Sequence, residues 1–353
     1  RLEKTAGDDD VRRTCTAPYG VMENDVLRVE IQTNGVVALL DKRSGRRYDN
    51  LLLLEDEGEC GTFYLHRRPL EDFAVTSLGA AATVARLAEN DLLSRYEVTY
   101  ILQIPAGITS DYTQRSPAAR ALDVRVQLTL FRDRPRLDVQ LAVTNRSDDH
   151  QLRVLFPTDL IDAQSHSGQP FDIVERGTAL PDGWNVDQEP SVAYHPMQDF
   201  CGAFTSDAGL AVAAKGVYEY ELTPEGVLAL TLLRAVDCID RFEPHRQTGF
   251  DTQLGQLHKT LTYDLCIFPH DGALPYDQIQ DFIHPPVAWY RRSRDEALLE
   301  REPAPQPREI STQPFVSVSH PALYVTMVKK AEEGDALVVR VLNLSHEAVT
   351  GSV

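Results

Sequence analysis

Residues 122–144 read LDVRVQLTLFRDRPRLDVQLAVT, and their alternation is the clearest structural signal in the chain. Val124, Val126, Leu128 and Leu130 alternate with Arg125, Gln127 and Thr129. Beyond the polar turn Arg132-Asp133-Arg134-Pro135, Leu137, Val139, Leu141 and Val143 repeat the pattern against Asp138, Gln140 and Thr144. Successive side chains on a strand point to opposite faces, so the stretch predicts two strands with one apolar and one wet face. The short polar connection makes them an antiparallel hairpin. A lone hairpin cannot bury its apolar face, so further strands must cover it.

Outward from this hairpin the pattern continues. Leu27, Val29 and Ile31 alternate, break at Thr33-Asn34-Gly35, and resume at Val37 and Leu39; Asn-Gly between such runs marks a tight hairpin. A second polar turn stands at Asp41-Lys42-Arg43-Ser44-Gly45. Residues 55–72, EDEGECGTFYLHRRPLED, are acidic and aromatic and read as a loop at a sheet edge. Strands follow over 73–88 and around Val98–Ile104, and 152–160 is apolar. Residues 161–198 form a long polar stretch with four prolines, Phe171 and Trp184, the kind of long loop that often carries function. Further strands fit 209–214, 218–222, 227–233 and 261–267. The best helix candidate is 286–302, PVAWYRRSRDEALLERE, stopped by Pro303, Pro305 and Pro307 in a linker-like segment. One more hairpin fits 323–341, with too few strands after it for an independent sandwich. No repeat of 20–50 residues is evident.

Composition narrows the class. With 353 residues and 42% hydrophobic content the chain can bury a substantial core. No apolar run approaches the ~20 residues of a membrane helix. Thirty-five Lys and Arg against 53 Asp and Glu give a net charge of −18, which repels nucleic acid and anionic membranes. Five cysteines, Cys15, Cys60, Cys201, Cys238 and Cys266, lie far apart with no CxxC, which points to a reduced, cytoplasmic setting. The start RLEKTAGDDDVRR carries no signal-peptide apolar region and no initiating Met, and reads as a tail or the end of an upstream element.

Chemistry is harder to find. There is no HExxH, no GxSxG and no phosphate-cradling loop. His270-Asp271 is adjacent rather than spaced as a chelate and reads as a turn. Asp172 and Glu175, with Arg176 beside them, are a close carboxylate pair of the type that runs glycoside chemistry, although in so acidic a chain solvated loop charges are the plainer account. Tyr64 sits in a Gly-flanked acidic loop. Arg234 ends an apolar strand and reads as the partner of an acid, whereas Arg241, seven residues on, could offer its planar fork to a ligand.

Taken in order, several stretches resemble the C-terminal half of the glycoside hydrolase family 38 α-mannosidases. They are MENDVLRVEIQTNGVVALLDKRSGRRY (22–48), EDEGECGTFY (55–64), LFPTDL (155–160), FDIVERG (171–177), GLAVAAKGVYEYEL (209–222), LALTLLRAV (228–236), Gln253-Leu254-Gly255 and KKAEEGDALVVRVLN (329–343). The resemblance implies an all-β fold, a large antiparallel β-supersandwich similar to galactose mutarotase, followed by a small terminal β-domain. The expected division is a tail over 1–20, the supersandwich over 21–285, a short helix and Pro-rich linker over 286–310, and the truncated terminal β-domain over 311–353. It also implies a retaining mechanism whose nucleophile and divalent metal, commonly zinc, lie in an N-terminal catalytic barrel of the same polypeptide. No catalytic or metal-binding residue is then expected in this chain, which alone should be inactive. By the same resemblance Tyr64, or Phe63 if the register slips by one, and Arg241 correspond to the Tyr and Arg that reach the bound mannose of a mannose-containing oligosaccharide. The Gly-Thr-Phe-Tyr spelling departs from the usual acidic residue after the Gly. Two other readings stand beside this one: a stand-alone carbohydrate-binding sandwich, and an epimerase with a His and a carboxylate on one concave sheet. Linkage preference and assembly into a homo-oligomer are left open.

Overall fold

The computed structural model describes residues 18–179, 192–238, 253–287 and 314–353. The chain divides into two units: residues 1–167 with 175–283, and residues 168–174 with 284–353. Among the described residues the strands in chain order are β1 (Val21–Glu23), β2 (Leu27–Ile31), β3 (Val37–Asp41), β4 (Arg47–Leu51), β5 (Leu53–Gly58), β6 (Val75–Thr76), β7 (Thr83–Glu89), β8 (Leu93–Pro105), β9 (Ala119–Phe131) and β10 (Leu137–Thr144). They continue with β11 (His150–Pro157), β12 (Gln164–Gln169), β13 (Asp172–Arg176), β14 (His195–Pro196), β15 (Phe200–Phe204), β16 (Gly209–Lys215), β17 (Glu219–Leu222), β18 (Val227–Ala235) and β19 (Thr260–His270). A helix, α1 (Tyr276–Ile283), closes the larger unit, and β20 (Leu323–Lys330) and β21 (Leu337–Asn343) pair in the smaller one.

The fold is all-β, as the alternation requires. β9 and β10 form the expected hairpin, with Val124 opposite Val143, Val126 opposite Leu141 and Leu128 opposite Val139. It lies inside a nine-stranded sheet of order β13-β12-β15-β16-β19-β10-β9-β8-β7. A six-stranded sheet, β14-β17-β18-β11-β5-β6, turns its inner face to the same core, and a four-stranded meander, β1-β2-β3-β4, adds Met22, Leu27, Val29, Leu39 and Tyr48. From the nine-stranded sheet come Tyr96, Val98, Val126, Leu128, Leu141 and Leu265; from the six-stranded sheet come Leu54, Leu152, Val154, Phe156, Tyr220 and Leu230. All are buried in one continuous cluster, whose removal from water is the main favourable term in folding. Among the described residues no helix is long and apolar enough to cross a membrane.

The Asn34-Gly35 turn closes β2 onto β3. Gly35 has φ +88°, and a Cβ there would stand 3.0 Å from Val98 Cγ1, so the turn demands glycine for both conformation and space.

Three expectations need correction. Residues 55–58 are not an edge loop but the end of β5, hydrogen-bonded between β11 and β6. The acidic run hides the strand because all three of its acids have partners. Asp56 points inward to Arg115 and, at 2.5 Å, to His150 Nδ1, whereas Glu55 and Glu57 point outward to Arg153 and Arg68. Residues 161–198 are not one long loop, since β12, β13 and β14 lie within them. The helix of the larger unit lies at 276–283, a segment not singled out by sequence, while the helix candidate over 286–302 and the rest of the 286–310 linker segment lie, from residue 288 on, outside the described residues. In the smaller unit, the Arg340 guanidinium stands 4.6 Å from the Phe171 ring centroid.

Candidate functional site

The site grows from the outer face of the six-stranded sheet. Cross-strand register sets Glu57 of β5 beside Gln151 of β11, and Gln151 beside Arg234 of β18. One step along, Glu55 stands beside Arg153 and Arg153 beside Thr231, whose hydroxyl donates to Glu219 Oε1 at 2.7 Å. Arg153 reaches Glu55 and Glu221, each at 2.6 Å, with Glu57 Oε2 at 3.9 Å. Burial works against this guanidinium, but Glu55, Glu57 and the other neighbouring acids outweigh it and hold Arg153 more firmly protonated than usual.

Two segments cover this polar floor. The first is the loop after β5, and Glu59 organises it. Its carboxylate is fully buried and accepts from the Gly61 amide (2.6 Å), the Arg67 amide (3.2 Å), His66 Nδ1 (2.6 Å) and Arg234 Nε (2.8 Å). Burial pushes the Glu59 carboxyl up, but His66 and Arg234 more than offset that, leaving it below its ordinary range. Thr62 N donates to Leu65 O at 2.8 Å, closing a tight turn. A Cβ on Gly61 would stand 1.9 Å from Leu65 O, so this turn also requires glycine. The turn presents Phe63 and Tyr64 differently. Phe63 N is bonded to Cys238 O at 3.0 Å and its ring packs over Gly255, whereas Tyr64 stands 81% exposed.

The second segment leads into β14. Tyr194 lies edge-on to the His66 ring, with centroids 5.6 Å apart. Burial pushes its phenol up to about 12, with Glu221 and Glu57 adding and Arg153 and Arg68 opposing, so it stays protonated and can donate. His195 is lowered by burial and then by Arg176, with Glu221 opposing. Between the two segments opens a cavity of about 230 Å³ lined by Tyr64, His66, Tyr194, His195, Tyr218, Glu219 and Arg234, among others. Phenols, imidazoles, a carboxylate and the Arg234 guanidinium around an aromatic mouth suit a polyhydroxylated ligand, since each can donate to or accept from a hydroxyl.

Of the residues singled out in sequence, Tyr64 is at this mouth. Arg234 pairs with an acid as expected, and the acid is Glu59. Arg241 lies outside the described residues. Asp172 and Glu175 sit three apart on β13, a spacing that sends side chains to opposite faces, so they do not form a converging pair. His270 ends β19 rather than standing in a turn; its Nδ1 accepts from the Gly272 amide at 3.2 Å, and burial lowers it to about 4. Glu59, His66, Tyr194 and His195 were not foreseen, because they meet only through sheet register and loop closure.

The glycosyl hydrolases family 38 C-terminal domain model matches residues 22–238. The chain belongs to glycosyl hydrolase family 38. This family 38 chain is 25% identical over 340 residues to a putative mannosylglycerate hydrolase of Halalkalibacterium halodurans, covering 92% of the chain and 36% of that relative. In fold it is similar to an α-mannosidase from Enterococcus faecalis V583, with a TM-score of 0.76, 22% identity, and coverage of 94% of the chain and 37% of that structure. A family 38 protein from Enterococcus faecalis is similar at a TM-score of 0.74 and 21% identity, covering 94% of the chain and 39% of that structure. The chain thus spans 36–39% of the length of these relatives. The matched part is the family's C-terminal domain.

Proposed function

We propose that this chain is the β-region of a retaining hydrolase acting on α-mannosides, mannosylglycerate among them. It supports the catalytic barrel of the same polypeptide and lends Tyr64 and Arg241 to the sugar pocket. The observation that carries this reading is the cavity with Tyr64 at its mouth, on a turn held rigid by the buried Glu59. Phe63 is tied into packing over Gly255, which favours Tyr64 as the residue offered to a ligand.

The division of labour follows from the side chains present. A retaining mechanism needs a nucleophilic carboxylate and an acid/base about 5–5.5 Å apart across the scissile bond. Here the carboxylates nearest the cavity, Glu59 and Glu219, are each engaged by neighbouring donors. This chain therefore binds and orients: Tyr64 offers a phenol, and Arg241 a planar fork, to sugar hydroxyls. Fixing the glycoside this way lowers the entropic part of the barrier for groups supplied by the barrel. The family resemblance calls for a divalent metal. Among the described residues no three His, Cys, Asp or Glu are grouped to hold one, so its ligands are assigned to the barrel and no step is derived through it. The scattered cysteines of the sequence are read as those of a cytoplasmic enzyme.

An activated aryl α-mannoside tests the reading. The chain alone should release no phenol, and the polypeptide containing the barrel should do so and slow when Tyr64 or Arg241 is replaced. Turnover by the pure chain, unaffected by chelator, would overturn it.

A further inference from the structure

We propose that His66 is a hydroxyl-accepting residue of the sugar site. In this view its Nε2 takes a hydrogen bond from the bound α-mannoside, and Glu59 fixes the tautomer that leaves this nitrogen as an acceptor. The inference rests on the reading of the cavity as a sugar site and adds to it a residue that neither the motifs nor the resemblance supplied.

The tautomer follows from the bonds to Glu59. Its carboxylate can only accept when ionised, and Oε2 lies 2.6 Å from His66 Nδ1, so Nδ1 carries a proton and, in the neutral ring, Nε2 is the acceptor. The His66 side chain is 7% exposed, and its Nε2 is buried with no hydrogen-bond partner among the described residues. Buried polar atoms are nearly always satisfied, so one left open in a cavity wall asks what completes it. It is not alone. Glu57 Oε2 and Gln151 Oε1, cross-strand neighbours on the polar floor, are also buried acceptors without a hydrogen-bond partner among the described residues, Glu57 Oε2 standing 3.9 Å from Arg153. Sugar hydroxyls are donors that fill such positions.

A metal ion fits less well, because Glu59 is already saturated by four donors and no third ligand joins His66 among the described residues.

The test uses the polypeptide that includes the barrel, labelled with 15N-histidine and titrated with methyl α-D-mannoside, following the His66 ring nitrogens by NMR. The expected result is saturable movement of the His66 Nε2 signal out of its lone-pair position while Nδ1 stays protonated. His66→Phe should weaken binding by about tenfold, the scale of one lost hydrogen bond, and His66→Gln, whose carbonyl can accept, should recover part of the loss. The NMR readout needs no variant, so a misfolded His66→Phe would not remove the test. Sugar binding that is abolished by Tyr64→Ala but leaves His66 Nε2 unmoved, with His66→Phe binding normally, would overturn this inference and leave the sugar site standing. No saturable binding by the unsubstituted polypeptide that includes the barrel would overturn both.

Discussion

The two large sheets use the same strand chemistry and differ in what covers their outer faces. On the nine-stranded sheet the outer face meets water: Arg125 pairs with Glu97 at 2.6 Å, Gln140 with Asp264 at 3.0 Å and Thr144 with Thr260 at 2.9 Å, all on the exposed side. On the six-stranded sheet the outer face is roofed by the loop after β5 and the segment entering β14, and its charges are buried: the Arg153 side chain is 9% exposed and that of Glu57 5%. An open polar face costs nothing and recognises nothing in particular. A roofed one must satisfy each charge, and where it does not, the open valence marks a place for a ligand.

Removing one charge from each face should give the largest contrast. Arg153→Ala strands Glu55, Glu57 and Glu221 under the roof and should destabilise the chain by about 3–5 kcal/mol in denaturant melts. Arg125→Ala breaks an exposed pair and should cost less than about 1 kcal/mol. Equal costs would erase the distinction between the faces.

Acid should act on the nine-stranded sheet through His270, where β19 ends. Burial first, then His166 and Arg43, lower its pKa to about 4, with Asp271 and Asp41 opposing. Unfolded, the ring titrates near 6.5. A depressed pKa means the unfolded chain binds the proton more readily. Stability is therefore fully present above about pH 6.5 and falls as pH drops towards 4, by on the order of 3 kcal/mol from this residue. Melts of His270→Gln should be flatter over that interval; an unchanged slope would show that His270 is not its source.

In the polypeptide that includes the barrel, Arg241→Ala should lower kcat/KM by about 30-fold, or ~2 kcal/mol, the scale of a lost charged hydrogen bond. Tyr64→Phe, which removes only the phenol oxygen, should have the smallest effect, about fivefold or ~1 kcal/mol. Kinetics untouched by either change would confine the six-stranded sheet to a supporting role.

How far the sequence disclosed this molecule depended on whether a signal was local. Alternation along 122–144 and the Asn34-Gly35 turn are properties of neighbouring residues, and both held. β5 was missed because Glu55-Asp56-Glu57 looks like solvated loop, and the partners that bury it, Arg115, His150 and Arg153, come from 59 to 98 residues away. Tyr64, singled out through the family resemblance, lines the cavity. Glu59 and Arg234, 175 residues apart, meet by β5, β11 and β18 lying side by side, which no spacing encodes. His66 could have been suspected only as a histidine two residues beyond Tyr64 in a glycine-closed turn, and its open nitrogen is visible only once the roof is in place.

The central claim is that this β-region reaches the sugar from the roofed face. A crystal structure of the polypeptide that includes the barrel, bound to a mannose-derived inhibitor, tests it most directly. The account predicts sugar hydroxyls within about 3.2 Å of the Tyr64 phenol and the Arg241 guanidinium. A sugar held wholly by the barrel, with both side chains beyond about 3.5 Å and no bridging water, would contradict it.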